Sequence, residues 1–104
     1  MNESFIFQIE SFESVKQAAT QIEGRCCEGS IQKGDTFTEF LVRTKKDDGS
    51  LIIEEARSVS ISVRNVASIR PEFLGVGEAG TLDVCGVEGL ELKRDSLLKG
   101  HRAG

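Results

Sequence analysis

Hydrophobic and polar side chains alternate through much of this chain, with the period of a β-strand rather than of a helix. The clearest stretch is RSVSISVRN, residues 57–65, where Val59, Ile61 and Val63 face one way and Ser58, Ser60, Ser62 and Arg64 the other. One face of such a strand belongs to a core and the other to water. FIFQI, residues 5–9, sets Phe5, Phe7 and Ile9 against Ile6 and Gln8 in the same manner. TLDVCGV alternates Leu82 and Val84 with Thr81, Asp83 and Cys85. DTFTEFLVR and LIIEEA read as further strands, and GLELKRDSLL supplies Leu90, Leu92, Leu97 and Leu98. Between these runs, KKDDGS at 45–50 and RPEFLGVGEAG at 70–80 carry the turn-forming residues of exposed connections. Short strands at roughly ten-residue spacing with glycine turns predict an all-β barrel or sandwich.

One segment obeys both periods. In SFESVKQAATQI, residues 11–22, Val15, Ala18, Ala19 and Ile22 form a helical face that Ser14 would cap. Ala18, Thr20, Ile22, Gly24 and Cys26 alternate equally well as one face of a strand. Periodicity leaves that choice open.

Composition narrows the function more than the fold. The 104 residues fit a single domain, 1–104, without internal repeat or linker. With no Trp or Tyr, the six phenylalanines must supply all aromatic packing. Asp and Glu outnumber Lys and Arg by 17 to 13, a formal charge of −4 that argues against a non-specific binder of nucleic acid or anionic membrane. No run of about 18 apolar residues occurs, so no membrane span is expected. MNESFIFQIE lacks the basic and apolar regions of a signal peptide, and three cysteines make no disulfide framework. A cytoplasmic location with reduced thiols is the expectation.

The stretch GRCCEGSIQKGDTF, residues 24–37, holds two adjacent cysteines, three glycines and a Gly-Asp step. Together with FIFQIE at 5–10, it resembles domain II of the translational GTPases, the β-barrel that follows the G domain in elongation factor Tu and its relatives. That family carries F-x-F-x-I-E and then G-R-V-x-x-G-x-I-x-x-G-D-x-V. Gly24, Arg25, Gly29, Ile31, Gly34, Asp35 and Phe37 fall on the matching positions, at a separation that needs no gap. EAGTLDVCGVEGLEL is similar to the family's AG-x-x-V-x-x-x-L-x-G-I strand pair. KRDSLLK is similar to its closing R-G-D-x-L strand, with Arg94 where the family has Gly. The resemblance spans residues 5–99, is loosest over 40–75, and leaves 100–104 as a flexible tail. It implies a small closed six-stranded antiparallel β-barrel. It also implies that 18–28 is mostly strand, with any helix confined to a turn near 12–17.

Catalytic and metal chemistry find little footing. Adjacent residues of a strand point to opposite faces, so Cys26 and Cys27 cannot readily chelate one ion and read as one core thiol and one surface thiol. GVGEAG at 75–80 matches a glycine-rich phosphate pattern, but no strand–helix unit surrounds it, and it reads as a turn. His101, the only histidine, lies in the expected tail, and the pairs Asp47-Asp48 and Glu54-Glu55 read as solvated charge. No nucleophile has an evident base partner, and the given sequence contains no G domain. Neither enzymatic activity, nor a cofactor, nor a metal site is expected.

In elongation factor Tu the barrel holds the aminoacylated end of tRNA with an acidic pair, an aromatic and an arginine. The corresponding positions are Glu10 with Ser11, Glu13 and Ala18, so only Glu10 remains and aminoacyl-tRNA is not the expected ligand. The resemblance implies a non-catalytic binding module connected to translation or to a larger enzyme, with a protein partner favoured over RNA by the net charge. A small acidic immunity protein or antitoxin that masks a basic toxin is the alternative. The candidate binding residues are Glu10, Glu13, Arg25 and Cys27.

Overall fold

The alternating runs become strands, and the strands close on one another. The computed structural model describes residues 2–14, 19–69, 73–87 and 90–103. Its strands, in chain order, are β1 (Asn2–Ser14), β2 (Ala19–Glu28), β3 (Ile31–Gln32), β4 (Thr36–Lys45), β5 (Leu51–Ala67), β6 (Phe73–Leu74), β7 (Ala79–Cys85) and β8 (Leu97–Ala103). Six of them pair antiparallel in the order β1-β2-β7-β5-β4-β8 and form a ring, while β3 and β6 pair with each other. The expected all-β, six-stranded antiparallel architecture is therefore present. Closure matters physically, because an open sheet of this size leaves two edges unpaired.

The ring is filled from every strand. Phe5, Phe7 and Ile9 of β1 meet Ile22 and Cys26 of β2, Phe37 and Phe40 of β4, Ile61 and Val63 of β5, Leu82 and Val84 of β7, and Leu98 of β8, all buried. Phe5 and Phe37 pack edge to face with ring centroids 5.5 Å apart. Four of the six phenylalanines, Phe5, Phe7, Phe37 and Phe40, lie in this core, which is how a chain without Trp or Tyr fills its interior.

Bulges reset the alternation at definite points. The β1–β2 register steps from Ile9↔Gly24 to Ser11↔Glu23, leaving Glu10 unpaired. Beyond that extra residue the alternation changes phase, and Phe12, itself 47% exposed, comes opposite the buried Ile22. A second step, from Ile6↔Glu28 to Phe7↔Cys26, leaves Cys27 unpaired. At Gly24 the backbone of β1 leaves no room for a side chain, since a Cβ there would stand 1.8 Å from the Gln8 carbonyl oxygen.

Three expectations need correction. The helical turn near 12–17 is absent from its described part: Phe12, Glu13 and Ser14 continue β1 and pair with Ile22, Gln21 and Thr20. Ladder hydrogen bonds to β2 satisfy the backbone that a helical turn would have satisfied locally. Residues 15–18, including Ala18, lie outside the described residues. LIIEEA and RSVSISVRN are not separate strands but one, β5. The tail expected from 100 onward is strand through Ala103, with Gly100, His101 and Arg102 paired to Phe5, Ser4 and Glu3 of β1.

The long β4–β5 ladder outruns the ring. β8 pairs β4 only over residues 37–41, and β7 pairs β5 only over residues 62–67. β4 and β5 nevertheless stay paired out to Lys45↔Leu51. Residues 42–45 and 51–55 thus form a two-stranded arm beyond the rim, rooted by Val42, which is still buried in the core, and by Arg43, whose Nε donates to the Asp95 carbonyl at 2.6 Å. Its tip is a tight turn in which Lys46 N–H donates to the Ser50 carbonyl and Ser50 donates to the Asp48 carboxylate. Those bonds hold the exposed Asp48 carboxyl below its ordinary value.

Candidate binding surface

The four residues singled out from sequence all lie on the β1–β2 ribbon, but they do not converge on one pocket. Glu10 is the exposed bulge residue, and Glu13 is exposed farther along β1 opposite Gln21. A shallow groove beside Glu13 is lined by Ser11, Phe12, Gln21 and Glu23 and excludes Glu10. Arg25 is exposed, but its guanidinium donates to the Gly77 carbonyl at 2.6 Å, pinning the turn between β6 and β7. Cys27 is exposed at the other bulge, whereas Cys26 is buried.

Burial pushes the Cys26 thiol above its ordinary value of 9.0, and its hydrogen bond to the Glu28 carbonyl, 3.3 Å away, acts in the opposite direction. Cys26 is a packed, protonated thiol at neutral pH. Among the described residues, no three His, Cys, Asp or Glu side chains cluster in a way that would hold a metal ion.

The Gly-Asp step is structural, and it is more than a turn. Asp35 is buried, accepts from Gln32 N–H at 2.8 Å, and is gripped by Arg102 of β8. Arg102 donates Nε to Asp35 Oδ1 at 2.9 Å, Nη2 to Asp35 Oδ2, Nη1 to Glu3 at 2.9 Å and Nη2 to the Ser30 carbonyl at 3.0 Å. The guanidinium also lies over the Phe5 ring, 5.2 Å from its centroid. The hydrogen bonds to Asp35 are the main reason the Arg102 guanidinium is held above its ordinary value.

What the sequence reading missed is the arm. Leu51, Ile52 and Ile53 are 37%, 41% and 56% exposed, three consecutive aliphatic side chains on a projecting ribbon. Among the described residues, no strand pairs the β5 edge opposite β4 before Ser62, nor the β4 edge opposite β5 beyond Leu41. At the arm's base a groove of about 580 Å³ has Phe40 and Val42 as its apolar floor. Glu54, Glu55 and Arg57 of β5 form one wall, and Glu91 and Lys93, from the loop before β8, form the other. β5 bulges at Glu54, which falls between Val42↔Glu55 and Arg43↔Ile53 and bonds the Thr44 hydroxyl. Arg57 pairs with Glu55 at 3.1 Å in an exposed contact.

A signal for this surface was present in LIIEEA, because a strand half in a core should alternate and this one opens with three apolar residues. A run of that kind is either buried on both faces or exposed for a reason. No family model and no curated protein matches the sequence.

Proposed function

We propose that this chain is a non-catalytic binding module of the kind found as domain II of the translational GTPases, and that it docks a protein partner through the β4–β5 arm. The observation that carries the reading is the exposure of Leu51, Ile52 and Ile53 on a ribbon with unpaired edges. Exposed aliphatic strips and open strand edges are the two features a folded chain normally hides unless a partner covers them. An extended segment added to such an edge gains main-chain hydrogen bonds along with side-chain burial. Net charge of −4 and the carboxylates at the arm's base favour protein over RNA.

The likeness to the translational GTPase barrel draws support from the way its motif folds. Gly24 has its Cβ position blocked by the Gln8 carbonyl at 1.8 Å, and Gly29, at φ 66°, by the Ser4 carbonyl at 2.2 Å. Asp35 is fixed by Arg102, and Phe37 is buried against Phe5. A partner within the translation apparatus is the class this likeness points to.

The test is affinity capture from the native cell with the wild-type chain and an Ile53→Glu variant side by side. One protein, whether another gene product or an untagged copy of this chain, should be enriched by the wild type and lost from the variant. Equal recovery by both, or no enriched protein at all, contradicts the reading.

A further inference from the structure

The arm offers two edges, and they differ in what can pair with them. On β4, Arg43 is tied by its Nε to the Asp95 carbonyl at 2.6 Å, and with Lys45 it would set cation against cation in a second copy laid antiparallel on that edge. The β5 edge reads Ser50, Leu51, Ile52, Ile53, Glu54, without a lysine or proline to blunt it. We propose that this β5 edge pairs with the same edge of a second copy, antiparallel about a two-fold axis at Ile52. The two arms then join as one four-stranded sheet in the order β4-β5-β5-β4. This rests on the reading of the arm as a docking surface and names its occupant.

The register follows from side-chain matching. A two-fold axis normal to the sheet keeps each face on its own side, so the axis must pass through a residue paired with itself. With Ile52 on the axis, Leu51 lies opposite Ile53 of the second copy, and Ile53 opposite its Leu51. Every apolar side chain then meets an apolar one on its own face. The next pair outward is Ser50 with Glu54, which brings Glu54 toward the Asp48 carboxylate bonded to Ser50 and confines the favourable pairing to the three apolar residues. Moving the axis to Ile53 sets Glu54 against Ile52 and Glu55 against Leu51. Moving it to Leu51 sets Ser50 against Ile52 and Gly49 against Ile53. Only the Ile52 axis matches the whole strip.

The same geometry limits the strength. The bulge at Glu54 ends the regular ladder, so the paired segment is short and the dimer is weak and concentration-dependent. Each copy carries −4, so the two repel at long range, and added salt should strengthen an association held by apolar pairing. An association held by ion pairs would weaken instead.

Sedimentation equilibrium of the full chain tests this, under reducing conditions because Cys27 is exposed. From about 10 µM to about 1 mM, a range that spans weak complexes, the mean mass should climb from 11.3 kDa toward twice that value, and climb further in high salt. Ile52→Lys, at an exposed position, should keep the far-UV circular dichroism and stay at 11.3 kDa throughout. Val76→Lys, at another exposed position in the turn before β7, should dimerise like wild type. A wild-type monomer at the highest concentration, or a dimer indifferent to Ile52→Lys, overturns the proposal. If a monomeric wild type still captures a different protein that Ile53→Glu loses, the self-pairing is wrong and the docking reading stands.

Discussion

Arg102 closes on Asp35 across sixty-seven residues of sequence, with Nε on one carboxylate oxygen and Nη2 on the other. The contact ties β8 to the turn that launches β4. Asp35 is 7% exposed, so removing its cation leaves a buried carboxylate with only the Gln32 N–H as a described donor. Arg102→Ala should therefore cost about 2–4 kcal/mol in urea unfolding. Arg102→Lys keeps the charge but loses the two-pronged geometry, and should fall between the alanine variant and wild type. An alanine variant within about 0.5 kcal/mol of wild type, the range of an ordinary surface change, would show that the pair is not holding the strands together.

Gly24 tests the closeness of β1 and β2. A methyl group there would stand 1.8 Å from a backbone oxygen and 3.0 Å from the Phe7 ring. Neither neighbour is the end of a flexible side chain, so the strands must separate. Gly24→Ala should lower stability by about 3 kcal/mol or more, above the usual cost of overpacking. A thermal melt unchanged from wild type would mean that the two strands are not so close.

The two neighbouring cysteines should behave as opposites. Cys27 should react with a thiol reagent under native conditions, while Cys26 stays protected until the chain unfolds. Because burial raises the folded-state pKa of Cys26, the stability gained from its neutral thiol is complete below the ordinary value of 9.0. It is lost as pH rises from there through the folded value. Urea midpoints should accordingly decline on the alkaline side, and less steeply in a Cys26→Val variant. Rapid native labelling of Cys26 would contradict its placement.

Ser96 is fully buried, and its hydroxyl has no hydrogen-bond partner among the described residues. An unsatisfied buried hydroxyl costs free energy, so Ser96→Ala should be neutral or stabilising by up to about 1 kcal/mol. A clear loss of stability in the unfolding curve would reveal a partner for that hydroxyl.

Much of the fold was legible because strand periodicity is local. Val59, Ile61 and Val63 alternate in sequence, and the latter two are buried while Val59 packs against the core. Bulges are not local in that sense. Nothing in FIFQIESFES announces that Glu10 is the extra residue, yet it decides that Phe12 rather than Ser11 shares a face with Ile22. The strand character of residues 100–103 was hidden for a related reason, since it depends on pairing with the far end of the chain. The arm was half legible. Leu51, Ile52 and Ile53 advertise a strand, but whether such a strand is covered depends on which neighbours reach it, and β7 does not.

Whether the arm meets another protein in the cell, as proposed, is tested by placing a photo-activated cross-linking amino acid at Ile52, with a control at Val76. Both positions are exposed, but only one lies on the arm. Irradiation of living cells should give a cross-linked protein from position 52 and none of the same mass from position 76. No product from position 52, or the same product from both, would contradict the assignment of the arm as the docking surface.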